Sequence, residues 1–446
     1  MAGMVTARAI KDHFERITIV ERDRFPEGPE PRKGVPQSRH VHFVLIRGRR
    51  ELERLFPRLA ADLEKEGAVS FDYGRGAAVF NKGKTMARFD SDLIVRGCTR
   101  PLIDWHIHRY LEESPGISFL EGVNVLGLAA GPDGRTVTGV RCSTSDGGEQ
   151  VLTADLVVDA SGRQSRAGSW LTALGFDAPT ETVIDSALTY ACRLYAPKPG
   201  FQPDWKLLST VPRAPDQPRS GAIFTVEGNR WLVCLASMGE DHPPTDDAGF
   251  LEFARSLPVA KVHESLMNAE PLGPIYRSGS TENRLYHYEK LRRFPESFVL
   301  VGDSVCAVNP LYGQGITNAT LGALALAEEL TRQRDRRPQG DLQGLGARFQ
   351  KRLARLNKDV WMRATGADGA WPQTRGLKRP GSPLRDAPKR ALRAYADLLL
   401  EVAASQPEVA RLLVEVGHMV RPSYDVLRPG PLLRVLVHRL RAHQPA

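Results

Sequence analysis

The segment Phe298-Val-Leu-Val-Gly-Asp-Ser-Val-Cys-Ala-Val-Asn-Pro-Leu-Tyr-Gly-Gln-Gly-Ile-Thr317 constrains the chain more than any other. Phe298 to Val301 is an apolar run that stops at Gly302-Asp303, the pattern of a strand buried on both faces of a parallel sheet. A turn carrying Asn309-Pro310 follows. Gly313-Gln314-Gly315 then opens an Ala- and Leu-rich helix, expected from Ile316 to about Leu330. Glycines at a helix start let a ligand approach the backbone closely. The unpaired N–H groups and the positive dipole end there attract an anion. Asp303, just past the strand, is placed to accept a ribitol or ribose hydroxyl, so the segment suits a dinucleotide such as FAD.

The start of the chain carries a second part of such a site. Met4, Ala7, Ile10 and Phe14 recur at helical spacing, which predicts a helix over 1–14, and Arg16 to Glu21 reads as a strand ending in an acid. In the dinucleotide fingerprint a strand runs into G-x-G-x-x-G, and an acid about 20 residues on bonds the adenosine ribose. Gly3 stands where the third glycine belongs, and Glu21 where the acid belongs. The first strand and the first two glycines are not in this sequence. The expectation is an upstream start, since without that strand two sheet edges would lack partners.

Composition excludes other classes. Of 446 residues, 41% are hydrophobic and 25% charged, as in ordinary globular chains. No apolar run approaches the roughly 18 residues of a membrane span, and no signal peptide is recognisable. Five scattered cysteines without a CxxC pair argue against a disulfide framework or a zinc site. Reduced thiols and a cytoplasmic location are expected. The net charge of +9 gathers at Arg332–Arg337, Lys351–Arg355 and Arg434–Arg441, read as solvated helix faces rather than a nucleic-acid surface. His40 and His42 lack a carboxylate partner at a metal-ligand spacing, so no metal is expected.

Between these ends, the loop Lys33-Gly34-Val35-Pro36-Gln37 is irregular and basic. Strands are expected at Ala77–Asn81, Ala87–Val95, Ile117–Val125 and Thr136–Cys142. A helix is expected from Arg100, with Thr99 as N-cap and Pro101 at N1. Asp155 to Asp159 reads as a buried strand, followed by the turn Ala160-Ser161-Gly162-Arg163. From about 180 to 285, alternation over Ser186–Leu194, Lys206–Val211, Gly221–Glu227 and Arg230–Ser237 predicts an antiparallel sheet, with Gly228-Asn229 as a hairpin turn. Tyr190, Phe224 and Trp231 on that sheet suggest an apolar ligand, although a buried core accounts for the same three residues. Helices follow at Thr317–Arg332, Leu342–Thr365, Lys389–Ala404 and Pro407–Met419, with joints at Trp371–Pro383 and Arg421–Pro431. The predicted organisation is an α/β Rossmann-like unit in two parts (1–179 and 286–335), an inserted antiparallel sheet domain (180–285) and a C-terminal helical region (336–446).

Three stretches together resemble the FAD-dependent monooxygenases of the para-hydroxybenzoate hydroxylase fold. They are Gly3…Glu21-Arg22-Asp-Arg-Phe-Pro, Asp159-Ala-Ser-Gly162-Arg163, and Gly302-Asp303…Pro310…Gly313-Gln-Gly315-Ile316-Thr317. The Arg32–His42 loop and Ser280–Glu289 resemble a branch that includes bacterial polyether-type flavin epoxidases. The resemblance implies that Glu21 binds the adenosine ribose, that Val125 lies near the adenine and Arg100 and Asp303 along the ribitol and pyrophosphate, and that Arg22 belongs to the cofactor-binding residues. It also implies that Lys33, Gly34, Val35, Pro36 and Gln37 line the flavin ring, and that Pro310 and Gly313, Gln314, Gly315, Ile316 and Thr317 face its pyrimidine edge. Asp159 and Gly162 match a motif associated with both FAD and NAD(P)H.

The activity implied is hydroxylation or epoxidation of an apolar small molecule with O₂ through a flavin C4a-hydroperoxide. Electrons would come from NAD(P)H bound transiently or from a separate flavin reductase. No Ser-His-Asp or paired-carboxylate constellation is present, and no catalytic side chain is named. The alternatives are a flavin-dependent dehydrogenase or reductase without oxygen insertion, and an inactive FAD-fold protein. Halogenases share the fold, but their W-x-W-x-I-P segment does not occur in this sequence.

Overall fold

A computed structural model of the chain describes residues 1–144, 147–377 and 383–442. The apolar run at 298 forms the strand Phe298–Leu300, all three side chains fully buried. Burial of each contributes roughly 1.5–3 kcal/mol. This strand pairs in parallel with Val157–Asp159. A second parallel pair joins Ile17–Glu21 to Ile117–Glu121. The two pairs share no hydrogen-bond ladder, and residues of both line one large cavity.

Helices pack beside these strands and on one another. The first spans Ala2–Ile10 and continues as a 3₁₀ turn, Lys11–His13, rather than running on to Phe14. The Gly315–Arg336 helix buries Ile316, Ala319, Ala323, Leu326 and Leu330. Its Gly322 brings the Leu345–Asp368 helix close, since a Cβ there would lie 3.2 Å from Leu353 Cδ1. Between the two helices, Arg332, Arg336, Arg348 and Arg352 gather within 3.3–3.9 Å of the buried Glu329. Two of the basic clusters are therefore partly neutralised by an ion-paired seam.

The antiparallel unit is larger than alternation predicts. Its strand order is Ala269–Ser278, Leu188–Pro197, Arg230–Met238, Ser220–Val226, Leu207–Thr210, Ala77–Asn81 and Lys84–Thr85. Ala269–Ser278 contains two prolines and a glycine, which hide it in sequence and suit it to an edge. Ala77–Asn81 runs parallel to Leu207–Thr210, so the 1–179 segment lends a strand to the 180–285 unit. Gly228 and Asn229 both have positive φ, as the expected hairpin turn requires. Helices Asp247–Arg255 and Lys261–Met267 close the outer face, the first capped by Asp246, whose carboxylate accepts from Gly249 N at 2.8 Å.

Several expectations change in detail. The strand expected over Ala87–Val95 is Ile94–Gly97, which pairs with Val69–Asp72. The Ile117–Val125 strand splits at Gly122, whose φ is +71°. The Arg100–Glu112 helix has Thr99 at its N-cap, but the Thr99 side chain donates to Glu227 instead of capping. The C-terminal helices are Pro383–Ala403, Pro407–Gly417 and Pro429–Ala442, the last starting inside the expected Arg421–Pro431 joint. Part of the expected Trp371–Pro383 joint, 378–382, lies outside the described residues. No helix among the described residues is long and apolar enough to cross a membrane.

Candidate functional site

A continuous cavity of about 3220 Å³ runs from the parallel strands to the inner face of the antiparallel sheet. It is several times the roughly 300–1,000 Å³ of a small-molecule pocket. At one end stands Glu21, the last residue of its strand. Arg32, buried and lying 4.3 Å over the Phe25 ring, approaches the Glu21 carboxylate at 3.1 Å. Asp23 N donates to the other Glu21 oxygen at 3.2 Å. Arg22 reaches across to Gln164 Oε1 at 3.2 Å and Gly34 O at 3.3 Å, tying the 162–164 turn to the Lys33–Val35 loop. Gly34 N donates to Asp23 Oδ2 at 2.7 Å, and any side chain at Gly34 would collide with that carboxylate.

Further along the wall are Arg100 and Asp303. Arg100 Nε donates to Asp104 at 2.8 Å in a buried pair. Burial opposes ionisation of Asp104, but Arg100 together with the other positive charges near it, Arg32 among them, outweighs this and the carboxyl is held below its ordinary range. Asp303 lies where the strand after Phe298–Leu300 turns. Burial raises its carboxyl above the usual range, and Arg163 and Arg100 offset only part of that. A ligand hydroxyl donated to it would favour the ionised form.

The Gly315–Arg336 helix starts at the cavity. Where a Cβ would stand on Gly315 there is nothing within 4 Å, so the helix opens onto free space. Gly313 has φ +64°, and a side chain on it would meet Phe43 O at 3.2 Å. Behind this turn is a buried polar anchor. Asn309 Oδ1 accepts from Leu311 N at 3.0 Å, and its Nδ2 donates to the Asp368 carboxylate at 3.0 Å. Asp368 also accepts from Asn283 Nδ2 at 2.5 Å and Tyr312 OH at 2.7 Å. Asp368 was not legible as a site residue. It ends a helix 55 residues beyond Gly313, with no local motif around it.

Seventeen of the twenty residues expected to hold a cofactor line this cavity: Gly3, Glu21, Arg22, Lys33, Gly34, Val35, Pro36, Gln37, Arg100, Val125, Asp159, Gly162, Asp303, Pro310, Gly313, Gly315 and Ile316. Gly302, Gln314 and Thr317 do not. Gly302, at φ +61°, backs onto Ala2, where an added Cβ would sit 3.0 Å from the Ala2 Cβ. Thr317 faces the Ile46–Leu55 helix, whose Gly48 leaves the space its Oγ1 occupies. The Asp159 carboxylate is already engaged, accepting from Ser161 N and Oγ, Ser165 Oγ and Ser304 Oγ at 2.6–3.2 Å. It fastens the turn.

The opposite wall is the sheet. Tyr190, Phe224 and Cys234 line the cavity beside Phe43 and Trp371. Trp231 does not. It points to the other face and packs with Trp205 and Phe250 under the Asp247–Arg255 helix. The period of two puts Trp231 and Cys234 on opposite faces, three residues apart. His40 packs edge-on against Tyr190 with centroids 4.7 Å apart, and its Nδ1 has no hydrogen-bond partner among the described residues. The His42 ring lies within 3.0 Å of His40 O. Burial, reinforced by Arg100, lowers its pKa to about 3. No cluster able to hold a metal ion occurs among the described residues.

The chain is similar over its whole length to solved flavin enzymes. The flavin-dependent brominase Bmp2 superposes with a TM-score of 0.67 at 13% identity, covering 99% of this chain and 96% of the other. The p-nitrophenol 4-monooxygenase PnpA from Pseudomonas putida DLL-E4 gives 0.60 at 17% identity, covering 93% and 94%. The chain has the fold of the flavin-dependent monooxygenases and halogenases. In sequence it is similar to Protein Rv3254 of Mycobacterium tuberculosis, 28% identical over 463 aligned positions that span 99% of this chain and 92% of the relative. No protein-family profile matches it.

Proposed function

We propose that the chain is an FAD-dependent monooxygenase that inserts one atom of O₂ into an apolar small molecule. The observation that carries this reading is the cavity itself. It joins Glu21, Asp303 and the open helix start at Gly315 on one side to Tyr190 and Phe224 on the other. The wall residues fit the dinucleotide. Glu21 and Asp303 offer carboxylate oxygens for ribose and ribitol hydroxyls, and Gly315 leaves the space a close-lying ring needs. Arg100 and the basic Lys33 lie where phosphates or the ring could be met.

When bound, FAD supplies the oxygen-activating redox chemistry. The protein's own part is to bind, orient and keep water out. Arg32 beside Glu21 holds in place the carboxylate that accepts a hydroxyl. The N–H groups at Gly315 and Ile316 favour negative charge on whatever lies above them. The anchor of Asn309 on Asp368 fixes the turn that leads into that helix. Phe43, Tyr190, Phe224 and Trp371 give the substrate end an apolar lining that excludes water. Electrons come from NAD(P)H or from a separate flavin reductase.

Halogenation is the second reading, favoured by the brominase and halogenases of similar fold. Turnover of a panel of aromatic and polyketide substrates under ¹⁸O₂, with and without bromide, separates the readings. Labelled oxygen in the product supports the proposal. A brominated product supports the second reading. Substrate oxidation without either atom would mean a dehydrogenase.

A further inference from the structure

Strands Leu188–Pro197 and Arg230–Met238 lie side by side within the sheet, and their register sets Cys192 opposite Cys234. Directly opposed residues of antiparallel strands have Cα atoms about 4.5–5.5 Å apart. A disulfide needs about 4.4–6.8 Å. Both side chains are on the cavity face, in a cluster with Tyr190, Phe224 and Leu232. Cys234 is half-buried and lines the cavity, and Cys192 is buried behind it.

The surroundings of the two sulfurs differ. Burial would raise the Cys192 thiol. The neighbouring Cys234 thiol, His40 ring and Val41 N–H favour the thiolate, however, and lower its pKa to about 6. Cys234 is raised well above its ordinary value by its bond to Cys192 and by burial. Ionisation is thus favoured at Cys192 and opposed at Cys234. Cys98 and Cys306 are raised by burial, without such donors.

We propose that Cys192 and Cys234 form a peroxide-sensitive dithiol that closes to a cross-strand disulfide on the cavity wall. Hydrogen peroxide in the cavity meets Cys234 first. The Cys234 sulfur attacks one peroxide oxygen as its proton passes to the Cys192 thiolate. The O–O bond breaks, giving a sulfenic acid and hydroxide. Cys192 returns its proton to that hydroxide as water and attacks the Cys234 sulfur, expelling a second hydroxide and forming the S–S bond. Starting from both thiols, two are oxidised and one peroxide is reduced to two waters. A dithiol reductant returns both sulfurs to thiols by exchange. The reaction needs no bound cofactor.

The test is to treat the full chain with hydrogen peroxide, count thiols after denaturation and map linked peptides by mass spectrometry. Two of the five thiols should disappear together, at least about tenfold faster than the other three. A peptide joining 192 to 234 should appear, and dithiothreitol should reverse both changes. Mapping the unsubstituted chain does not depend on how any variant folds. Cys192→Ser and Cys234→Ser should each abolish the linked peptide, and the Cys98→Ser/Cys142→Ser/Cys306→Ser variant should retain it. Oxidation that spreads over all five thiols overturns the proposal, as does Cys234 advancing to a sulfinic acid without linkage. So does resistance of the pair to peroxide that oxidises Cys142.

Discussion

Asp368 gives the sharpest structural prediction. Its carboxylate is fully buried and accepts from three neutral donors, at 2.5 Å from Asn283, 3.0 Å from Asn309 and 2.7 Å from Tyr312. In Asp368→Ala, Asn309 Nδ2 keeps Ser186 Oγ at 3.2 Å and Asn283 Nδ2 keeps Ile184 O at 3.1 Å. Tyr312 OH loses the only side-chain partner described for it. Each hydrogen bond to a charged group contributes about 1.5–3 kcal/mol, and an unsatisfied buried group costs about 1–3 kcal/mol. Relief of the carboxylate's own desolvation offsets part of this. A net loss of about 2–4 kcal/mol follows, with the Pro310–Gly313 turn released from its anchor. Urea unfolding at pH 7 measures the first effect, and flavin affinity measures the second. In a double-mutant cycle with Asn309→Ala, a coupling above about 1 kcal/mol is expected for groups in direct contact. If Asp368→Ala unfolds within about 0.5 kcal/mol of the parent and takes up flavin equally well, the anchor carries no energy and the argument fails.

Gly315→Leu should abolish flavin uptake while leaving the fold as stable or more so by about 0.5–1 kcal/mol, since glycine is a poor helix residue; unfolding curves and flavin content measured together check both halves. Trp231→Ala should cost about 3–5 kcal/mol of stability as a core truncation, whereas Phe224→Ala on the opposite face should mainly raise KM for the substrate. Stability should also fall with acid. Burial lowers His418 to about 3, and its Nδ1 accepts from Ile46 N at 3.2 Å, so the folded state holds the ring neutral. Below about pH 6.5 the unfolded chain takes up a proton that the folded chain refuses, and stability drops by about 1.4 kcal/mol per pH unit down toward pH 3. Replacing His418 with Gln should reduce the slope between about pH 5.5 and 4.5 by about one proton, and an unchanged slope would contradict the assignment.

The parallel strands and the Gly315 helix were legible because their signals are local. An apolar run ends at Gly302-Asp303, and two glycines precede a helix of Ala and Leu. The period of two in the antiparallel sheet was also legible, but not which face met the cavity. Trp231 therefore read like Phe224 although the two lie on opposite sides. Ala269–Ser278 stayed hidden because prolines and a glycine are tolerated only where an edge strand leaves groups unpaired. Asp368, Trp371 and the pairing of Cys192 with Cys234 arise from contacts distant in sequence, for which a single chain carries no pattern. Thr317 sits within a recognisable motif, yet it is spent on packing against Gly48.

The central claim, that this cavity holds FAD, is tested most directly by titrating FAD into the purified chain and into Asp303→Ala while following flavin absorbance and fluorescence. The parent should retain flavin through desalting. Asp303→Ala should bind about 10–100-fold more weakly, the equivalent of one charge-assisted hydrogen bond. Equal affinity in the two proteins, or no retained flavin in either, would contradict the account.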